Sequence, residues 1–286
     1  MDLQTFIDLS TSIQYQDYFF VSLVVSWVYD CFLTLDREIS SIHSPPWKIG
    51  SILYVMTRYM PAFVLCIHLC MNYLPNEKIV TCKLLHSIWF LAAALCIAGA
   101  EGIFVLRTYA LWGNKKFILS IMLSTVLCFA VLDVIMTMTI SKRLELQLSD
   151  IGGGCYSLSR DTMSAYPWTL LVAFELEIIA LTMIRVYRAY RESESLLLEI
   201  LLQHNIFYFG TGIALSVVNI VVIECLPYTS SNMFGTFQIV MHTILVTRMH
   251  LQFCSTNEVH DSSESGTTPF SRLTHVELQT CSHSNV

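Results

Sequence analysis

The sequence predicts an all-α polytopic membrane protein, a seven-transmembrane-helix bundle with its N-terminus outside and its C-terminus in the cytoplasm. Three observations support this. Charged residues make up 13% of the 286 residues and hydrophobic residues 54%, whereas about a quarter of the residues in a soluble domain are charged. The apolar residues occur in blocks long enough to cross a bilayer, about 20 residues each. The few basic residues favour one side of these blocks, as they do in cytoplasmic loops.

Seven apolar segments are bounded by charged or turn-forming residues: 18–35, 49–73, 82–111, 117–140, 168–187, 200–224 and 233–251. The first begins directly after Asp17. The second contains Pro61, which is expected to kink its helix. The third includes the least polar block of the chain, residues 88–99. The fourth ends shortly before Lys142, and the fifth follows the only long loop between spans, residues 148–166.

The last two segments complete the domain organisation. The sixth ends at Glu224, and the seventh ends at Leu251. Residues 18–251 thus form the predicted transmembrane domain, preceded by an extracellular segment, 1–17. Residues 252–286 are rich in Ser, Thr and His and poor in apolar residues, a composition typical of disorder. We expect them to form a cytoplasmic tail.

The distribution of Lys and Arg predicts the orientation. Ten of these residues lie on one side of the spans: Arg37, Lys48, Arg107, Lys115, Lys116, Arg185, Arg188, Arg191, Arg248 and Arg272. Five lie on the other side: Lys78, Lys83, Lys142, Arg143 and Arg160. The sixteenth, Arg58, lies inside a span. Because basic residues accumulate on the cytoplasmic side, the side with ten is assigned to the cytosol.

Three cysteines have special positions under this topology. Cys82 lies at the outer start of the third span and Cys155 in the long outer loop, where the compartment is oxidising. We predict that they form a disulfide; the alternative is two unpaired thiols. Cys254, three residues past the last span, is a candidate for palmitoylation. An unmodified juxtamembrane cysteine is the alternative.

Ionisable residues within membrane spans are costly and are therefore functional candidates. Asp30, Arg58 and Glu101 all fall in the inner half of the membrane by residue count. We predict that they form an intramembrane polar cluster in which Arg58 pairs with Asp30 or Glu101. Such a cluster could serve only to hold helices together, or it could belong to a switch or a ligand pathway.

A second group of polar residues lies nearer the middle or the outer half of the membrane. We predict that Asp133, Glu175 and His242 line a ligand cavity; interhelical hydrogen bonds without a ligand are the alternative. Glu175 and Glu177 are about 200° apart around a helix. At most one of them can therefore point towards the centre of the bundle.

Patterns typical of enzymes and of nucleic-acid binding are missing from the sequence. No two His residues stand four apart on one helix, as a metal site of the helical type needs. There is no Gly-x-Ser-x-Gly motif, phosphate-binding glycine loop or Cys-x-x-Cys pair. The net charge of −6 gives no basic surface for nucleic acid. The sequence therefore predicts no metal, no cofactor and no nucleic-acid partner, and it favours a non-enzymatic protein.

Two motifs resemble a known protein family. The first runs from Tyr29 to Ile39 and continues with Pro46-Trp47 and Arg58-Tyr59-Met60-Pro61; the second runs from Glu101 to Gly113. They look like the hallmarks of a basidiomycete family of multi-pass membrane proteins catalogued as domain of unknown function 6533. The resemblance covers about residues 15–251, and it implies seven helices and no established activity. This chain departs from the family pattern at Cys31 and at Gln203-His204-Asn205.

The architecture also resembles that of G-protein-coupled receptors. The shared features are an outer N-terminus, seven spans, a bridge from the third span to an outer loop, and Arg107-Thr108-Tyr109 at the inner end of the third span. The sixth span lacks a Trp-x-Pro motif, and the seventh lacks Asn-Pro-x-x-Tyr. The seventh span also has no Lys to carry retinal. This is a likeness of fold, which does not fix function.

From these observations we expect a receptor-like, seven-pass protein of the plasma membrane that has no enzymatic activity. A group of basic residues at the inner helix ends would face a cytosolic G protein or anionic lipids: Arg107, Lys115, Lys116, Arg185 and Arg188. A small-molecule or ion transporter and an intramembrane enzyme are the alternatives. The oligomeric state does not follow from the sequence.

Overall fold

The computed structural model describes residues 3–42, 49–73, 79–144, 165–192, 196–225 and 228–263. Within these residues the chain forms seven α-helices and no strand: α1 Leu3–Ile42, α2 Ile49–Tyr73, α3 Ile79–Leu111, α4 Lys116–Leu144, α5 Tyr166–Glu192, α6 Leu196–Cys225 and α7 Tyr228–Ser263. The predicted all-α fold is confirmed. All helices except α2 extend beyond the predicted spans, and α1 and α7 do so most, since α1 begins within the predicted outer segment and α7 continues to Ser263.

Six of the helices, α1 to α6, are long and apolar enough to cross a membrane: Gln14–Ile39, Ile49–Met71, Val80–Leu111, Lys116–Thr139, Tyr166–Arg185 and Tyr208–Cys225. The protein is therefore an integral membrane protein. The seventh helix, α7, is not among them, so the predicted seventh crossing does not follow from length and composition.

The outside of the bundle is covered by large apolar side chains. Val80, Phe117 and Phe32 are 76%, 74% and 72% exposed, and many more Leu, Val and Ile side chains are exposed along α1 and α4. A soluble protein rarely exposes a continuous apolar surface of this kind. In a bilayer the same side chains face lipid, so the bundle presents to its surroundings the surface that a hydrocarbon solvent favours.

The helix α7 lies at the centre of the bundle, where it packs against α1, α2, α3 and α6. Its buried residues include the polar side chains of Gln238, His242, Thr243 and Thr247. These side chains lower the apolar content of the helix but face other helices instead of lipid. The low apolar content of α7 therefore follows from its central position.

Small residues allow α2 and α3 to approach closely. A Cβ atom at Gly99 would lie 2.6 Å from Oγ1 of Thr57, and one at Gly102 would lie 3.2 Å from the methyl groups of Leu53. Ala92 and Ala93 of α3 are also buried, in a cluster that includes Val64 and Met71 of α2. Close backbone approach through small residues is a common way of packing helices in membranes.

A tight turn joins α3 to α4. Gly113 and Asn114 have φ values of 65° and 58°, and their amides donate to the carbonyls of Ala110 and Tyr109 at 2.9 and 3.1 Å. These paired hydrogen bonds form a Schellman cap, in which glycine tolerates the positive φ. The cap ends α3 and lets the chain reverse.

The end of α3 is held against the C-terminal half of α5 beside this cap. Trp112 Nε1 donates to the carbonyl of Leu181 at 3.2 Å, and Arg185 Nε donates to the carbonyl of Leu111 at 3.0 Å. The guanidinium of Arg188 lies 5.6 Å from the centre of the Trp112 ring. Because Lys115 and Lys116 follow in the same turn, we call this end of the bundle the basic end.

Candidate functional site

Three buried ionisable side chains meet near mid-depth in the bundle. Glu101 of α3, Glu175 of α5 and His242 of α7 have ligand atoms that all lie within 4.8 Å of one another. His242 Nε2 is 3.1 Å from Glu101 Oε1, and His242 Nδ1 is 3.8 Å from Glu175 Oε1. We call these three residues the central cluster. Of the described residues, only these three form a His, Cys, Asp and Glu group with metal-ligand spacing.

Polar residues of α6 and α7 hold one side of the central cluster. Ser216 Oγ donates to Glu175 Oε2 at 3.3 Å, and Gln238 Nε2 donates to Ser216 Oγ at 2.5 Å. Asn219 Nδ2 donates to Gln238 Oε1 at 2.8 Å. All of these side chains are buried. The chain of hydrogen bonds fixes the direction of the Glu175 carboxylate, as outer-sphere groups do around a ligand site.

A glycine and an aromatic ring form two further walls of the central cluster. A Cβ at Gly212 would lie 2.9 Å from Glu175 Oε1 and 3.4 Å from His242 Nδ1. Any side chain at position 212 would therefore crowd the two ligand atoms. The ring of Phe104 packs edge-on against His242 with centroids 5.8 Å apart. The cluster is thus a small polar space inside an apolar core.

A second polar network lies between α1, α2 and α7, closer to the basic end. The Arg58 guanidinium donates through Nη1 to the Asp30 carboxylate and through Nη2 to Thr34 Oγ1. Its Nη2 also donates to the carbonyl of Asp30 at 3.0 Å, and its Nε lies 3.7 Å from Glu38 Oε2. Arg248 Nε of α7 contacts the other Asp30 oxygen at 2.5 Å. We call this set the Arg58 network.

The charges of the Arg58 network balance. Two arginines face two carboxylates, and the Arg58 side chain is 1% exposed. The hydroxyl of Tyr59 adds a hydrogen bond to Glu38 at 2.6 Å. A buried guanidinium is tolerated in a membrane when it is paired in this way. The ion pairs and hydrogen bonds of this network hold α1, α2 and α7 together.

The helix α7 links the central cluster to the basic end. It carries His242 of the cluster and, six residues later, Arg248 of the Arg58 network. Its Met249 carbonyl accepts a hydrogen bond from Arg107 Nη2 of α3 at 2.9 Å. Six residues of helix span about 9 Å. His242 and the contacts at the basic end therefore lie about 9 Å apart along the same helix.

The polar residues predicted from the sequence form different groups in the structure from those that we expected. Arg58 pairs with Asp30, whereas Glu101 contacts His242 and lies with Glu175. Asp133 is half-buried on α4 and is not part of the central cluster. Glu177 points away from that cluster, towards α4, where its Oε1 accepts a hydrogen bond from Thr125 at 3.2 Å.

Several site residues were not identified from the sequence. On α1, Thr34 and Glu38 follow Asp30 at intervals of four, which places them on one helix face. On α6, Gly212, Ser216 and Asn219 form a similar stripe, and on α7 Gln238 precedes His242 by four. These intervals are the signal that could have found them.

Two of the cysteine predictions fall partly outside the described residues. Cys82 is disulfide-bonded, but Cys155 lies outside those residues, so the predicted partner remains a prediction. The described free cysteines are Cys31, Cys66, Cys70, Cys96, Cys128 and Cys225. Cys254 lies on α7 within a stretch whose side chains are not described. Its palmitoylation also remains a prediction.

Comparison with known proteins finds a family match for one region of the chain. Residues 18–63 match the family of unknown function DUF6533, which confirms the expected resemblance for the first motif; the second motif, residues 101–113, lies outside the match. No curated protein and no solved structure matches the chain. The matched region contains α1 from Tyr18 onwards and the first part of α2. It therefore holds every member of the Arg58 network except Arg248.

Proposed function

We propose that this protein is a receptor-like membrane protein with seven spans, an outer N-terminus and a cytosolic C-terminus, located in the plasma membrane. Ligand binding at the central cluster would change the position of α7 and thereby the basic end. The observation that carries this proposal is the place of α7, which contacts the central cluster through His242 and the Arg58 network through Arg248.

The contacts at the two levels of α7 differ in a way that suits a switch. At the central cluster, His242 stands between two carboxylates from α3 and α5. At the Arg58 network, Arg248 shares Asp30 with Arg58 and is 45% exposed. A ligand can shift such an equilibrium only by binding one arrangement more tightly than the other. The buried contact of His242 at the central cluster would sense the ligand, and the contact of Arg248 with Asp30 would respond.

The basic end provides the surface for a cytosolic partner. Lys115, Lys116 and Arg188 are exposed there, while Arg107 and Arg185 are partly buried and bind backbone carbonyls. A G protein is the proposed partner, and anionic lipid is the alternative that the test must separate. A movement of α7 would break the Arg107 contact with Met249 and open the surface between α3 and α7.

Nucleotide exchange with a purified heterotrimeric G protein tests this function. The full chain in nanodiscs of neutral lipid is expected to accelerate GTP-analogue uptake by the α subunit. Lys115→Glu at the basic end should reduce that acceleration several-fold. Lys83→Glu, the same charge reversal near the start of α3 and so at the opposite end of the bundle, is the matched control and should leave it unchanged. No acceleration by the full chain, or equal loss in both variants, would overturn the proposal.

A further inference from the structure

The central cluster contains two buried carboxylates with unsatisfied oxygen atoms. Glu101 and Glu175 are 6% and 1% exposed. Glu101 Oε2 and Glu175 Oε1 have no hydrogen-bond partner among the described residues. Glu175 Oε1 faces His242 Nδ1 at 3.8 Å, which is too long for a hydrogen bond. Because buried polar atoms are nearly always paired, these two oxygens indicate a missing partner.

The charge of the central cluster indicates that this partner is a cation. Two ionised carboxylates beside a neutral imidazole would give a local charge of −2. Among the described residues, His242 is the only basic side chain that pairs with either Glu101 or Glu175. The arginines of the neighbouring network are already balanced by Asp30 and Glu38. A divalent cation would neutralise the cluster without a further protein charge.

The donor atoms select a class of cation. Imidazole nitrogen suits zinc, iron, copper and nickel, whereas carboxylate oxygen also suits manganese and the harder ions. One nitrogen and two oxygens from three helices form a mixed set, with ligand atoms within 4.8 Å of one another. Three protein ligands leave a coordination position open for water or for a donor atom of a ligand.

We propose that Glu101, Glu175 and His242 bind a divalent transition-metal ion such as Zn²⁺ in the middle of the bundle. Ser216 and Gln238 act as outer-sphere residues that orient Glu175, and the absence of a side chain at Gly212 keeps Glu175 Oε1 and His242 Nδ1 uncrowded. The metal deepens the proposed receptor function, since its open position would hold the ligand. Metal binding does not itself require signalling, so the two proposals can fail separately.

Metal content of the full chain tests this site directly. The protein is purified in nanodiscs, incubated with Zn²⁺ and passed over a chelating column to remove free metal. Its zinc content is then measured by inductively coupled plasma mass spectrometry. About one ion per chain is expected. Glu101→Gln, Glu175→Gln and His242→Gln should each lower the affinity roughly 10-fold or more, the size of effect seen even when outer-sphere groups are lost. Glu177→Gln is the control, because it makes the same change two residues away and outside the cluster.

A measurement on the unaltered chain covers the case in which the variants do not fold. Co²⁺ is added in place of Zn²⁺, and its visible spectrum and X-ray absorption are recorded. Oxygen and nitrogen ligands without sulfur, displaced by Zn²⁺, are expected. No bound ion above background, a sulfur ligand, or equal affinity in the three cluster variants and Glu177→Gln would overturn the proposal. Bound metal without nucleotide exchange would instead count against the receptor function alone.

Discussion

One carboxylate, that of Asp30, joins three helices near the basic end. Its two oxygens contact Arg58 of α2 and Arg248 of α7, while Asp30 itself belongs to α1. Among the described residues, only Glu38 remains near Arg58 as an opposite charge if Asp30 is neutralised, and it lies 3.7 Å away. Removing one partner of a buried ion pair is much more costly than replacing both, because it leaves a buried charge unpaired.

We therefore expect Asp30→Asn to lower the free energy of unfolding by about 3 kcal/mol. Denaturant titration in detergent micelles, followed by circular dichroism, measures this. Asp133→Asn makes the same change at a half-buried carboxylate outside both clusters. It should alter stability by less than about 1 kcal/mol. Equal effects of the two substitutions would contradict the bridging role of Asp30.

The packing of α2 against α3 depends on the absence of a side chain at position 99. The Thr57 side chain that a Cβ would meet is fully buried, and its β-branch restricts rotation away from the new methyl group. We expect Gly99→Ala to destabilise the bundle by about 1–3 kcal/mol through overpacking. Thermal unfolding in detergent measures the loss.

Gly210→Ala on α6 provides the matched control, since nothing lies within 4 Å of a Cβ there. Both substitutions gain the same helix propensity, up to about 1 kcal/mol. The difference between them therefore isolates the contact with Thr57. If both variants have the same unfolding temperature, the close approach of α2 and α3 contributes nothing to stability.

At the level of whole helices, hydropathy was sufficient for α1 to α6, because each presents an apolar face to lipid. It was insufficient for α7, whose polar residues such as Gln238 and Thr247 are buried against other helices. The mean hydropathy of a helix counts these residues as if they faced lipid. Only the packing of the bundle distinguishes a polar helix at the centre from one outside the membrane.

The polar sites were likewise only partly predictable from the sequence. Residue counting predicted that Asp30, Arg58 and Glu101 share the inner half of the membrane, but a shared depth does not determine which neighbour a side chain faces. Glu101 is rotated towards α5 and α7, where it contacts His242. The rotation of each helix depends on packing across the whole bundle. The intervals of four along α1, and of four and three along α6, carry part of this information, since they define a face of a single helix.

The disulfide at Cys82 constrains the molecule at the end opposite the basic end. Cys82 is bonded, and we predict Cys155 as its partner. Cys155→Ser should release the Cys82 thiol, so that maleimide labels it without prior reduction. Cys281→Ser is the control and should leave Cys82 unlabelled until a reductant is added. Labelling of Cys82 only in the Cys281→Ser variant would show that the predicted partner is wrong.

Two positions along α7 indicate that it extends about as far along the bundle as the spanning helix α5. A Cβ at Gly235 would lie 3.3 Å from Trp168, near the start of α5. Fourteen residues later, the Met249 carbonyl binds Arg107 near the end of α3. This interval is about 21 Å long at 1.5 Å per residue. On α5, the interval from Trp168 to Leu181, whose carbonyl binds Trp112, is about 20 Å long by the same rise.

The side of the membrane on which each terminus lies distinguishes seven crossings from six. An odd number puts the termini on opposite sides, and an even number puts them on the same side. Since α7 matches α5 in depth, we expect an N-terminal epitope tag to be accessible on intact cells. A C-terminal tag should become accessible only after permeabilisation. Both tags exposed on one face would mean that α7 does not cross, and exchanged accessibility would mean that the excess of basic residues does not set the orientation.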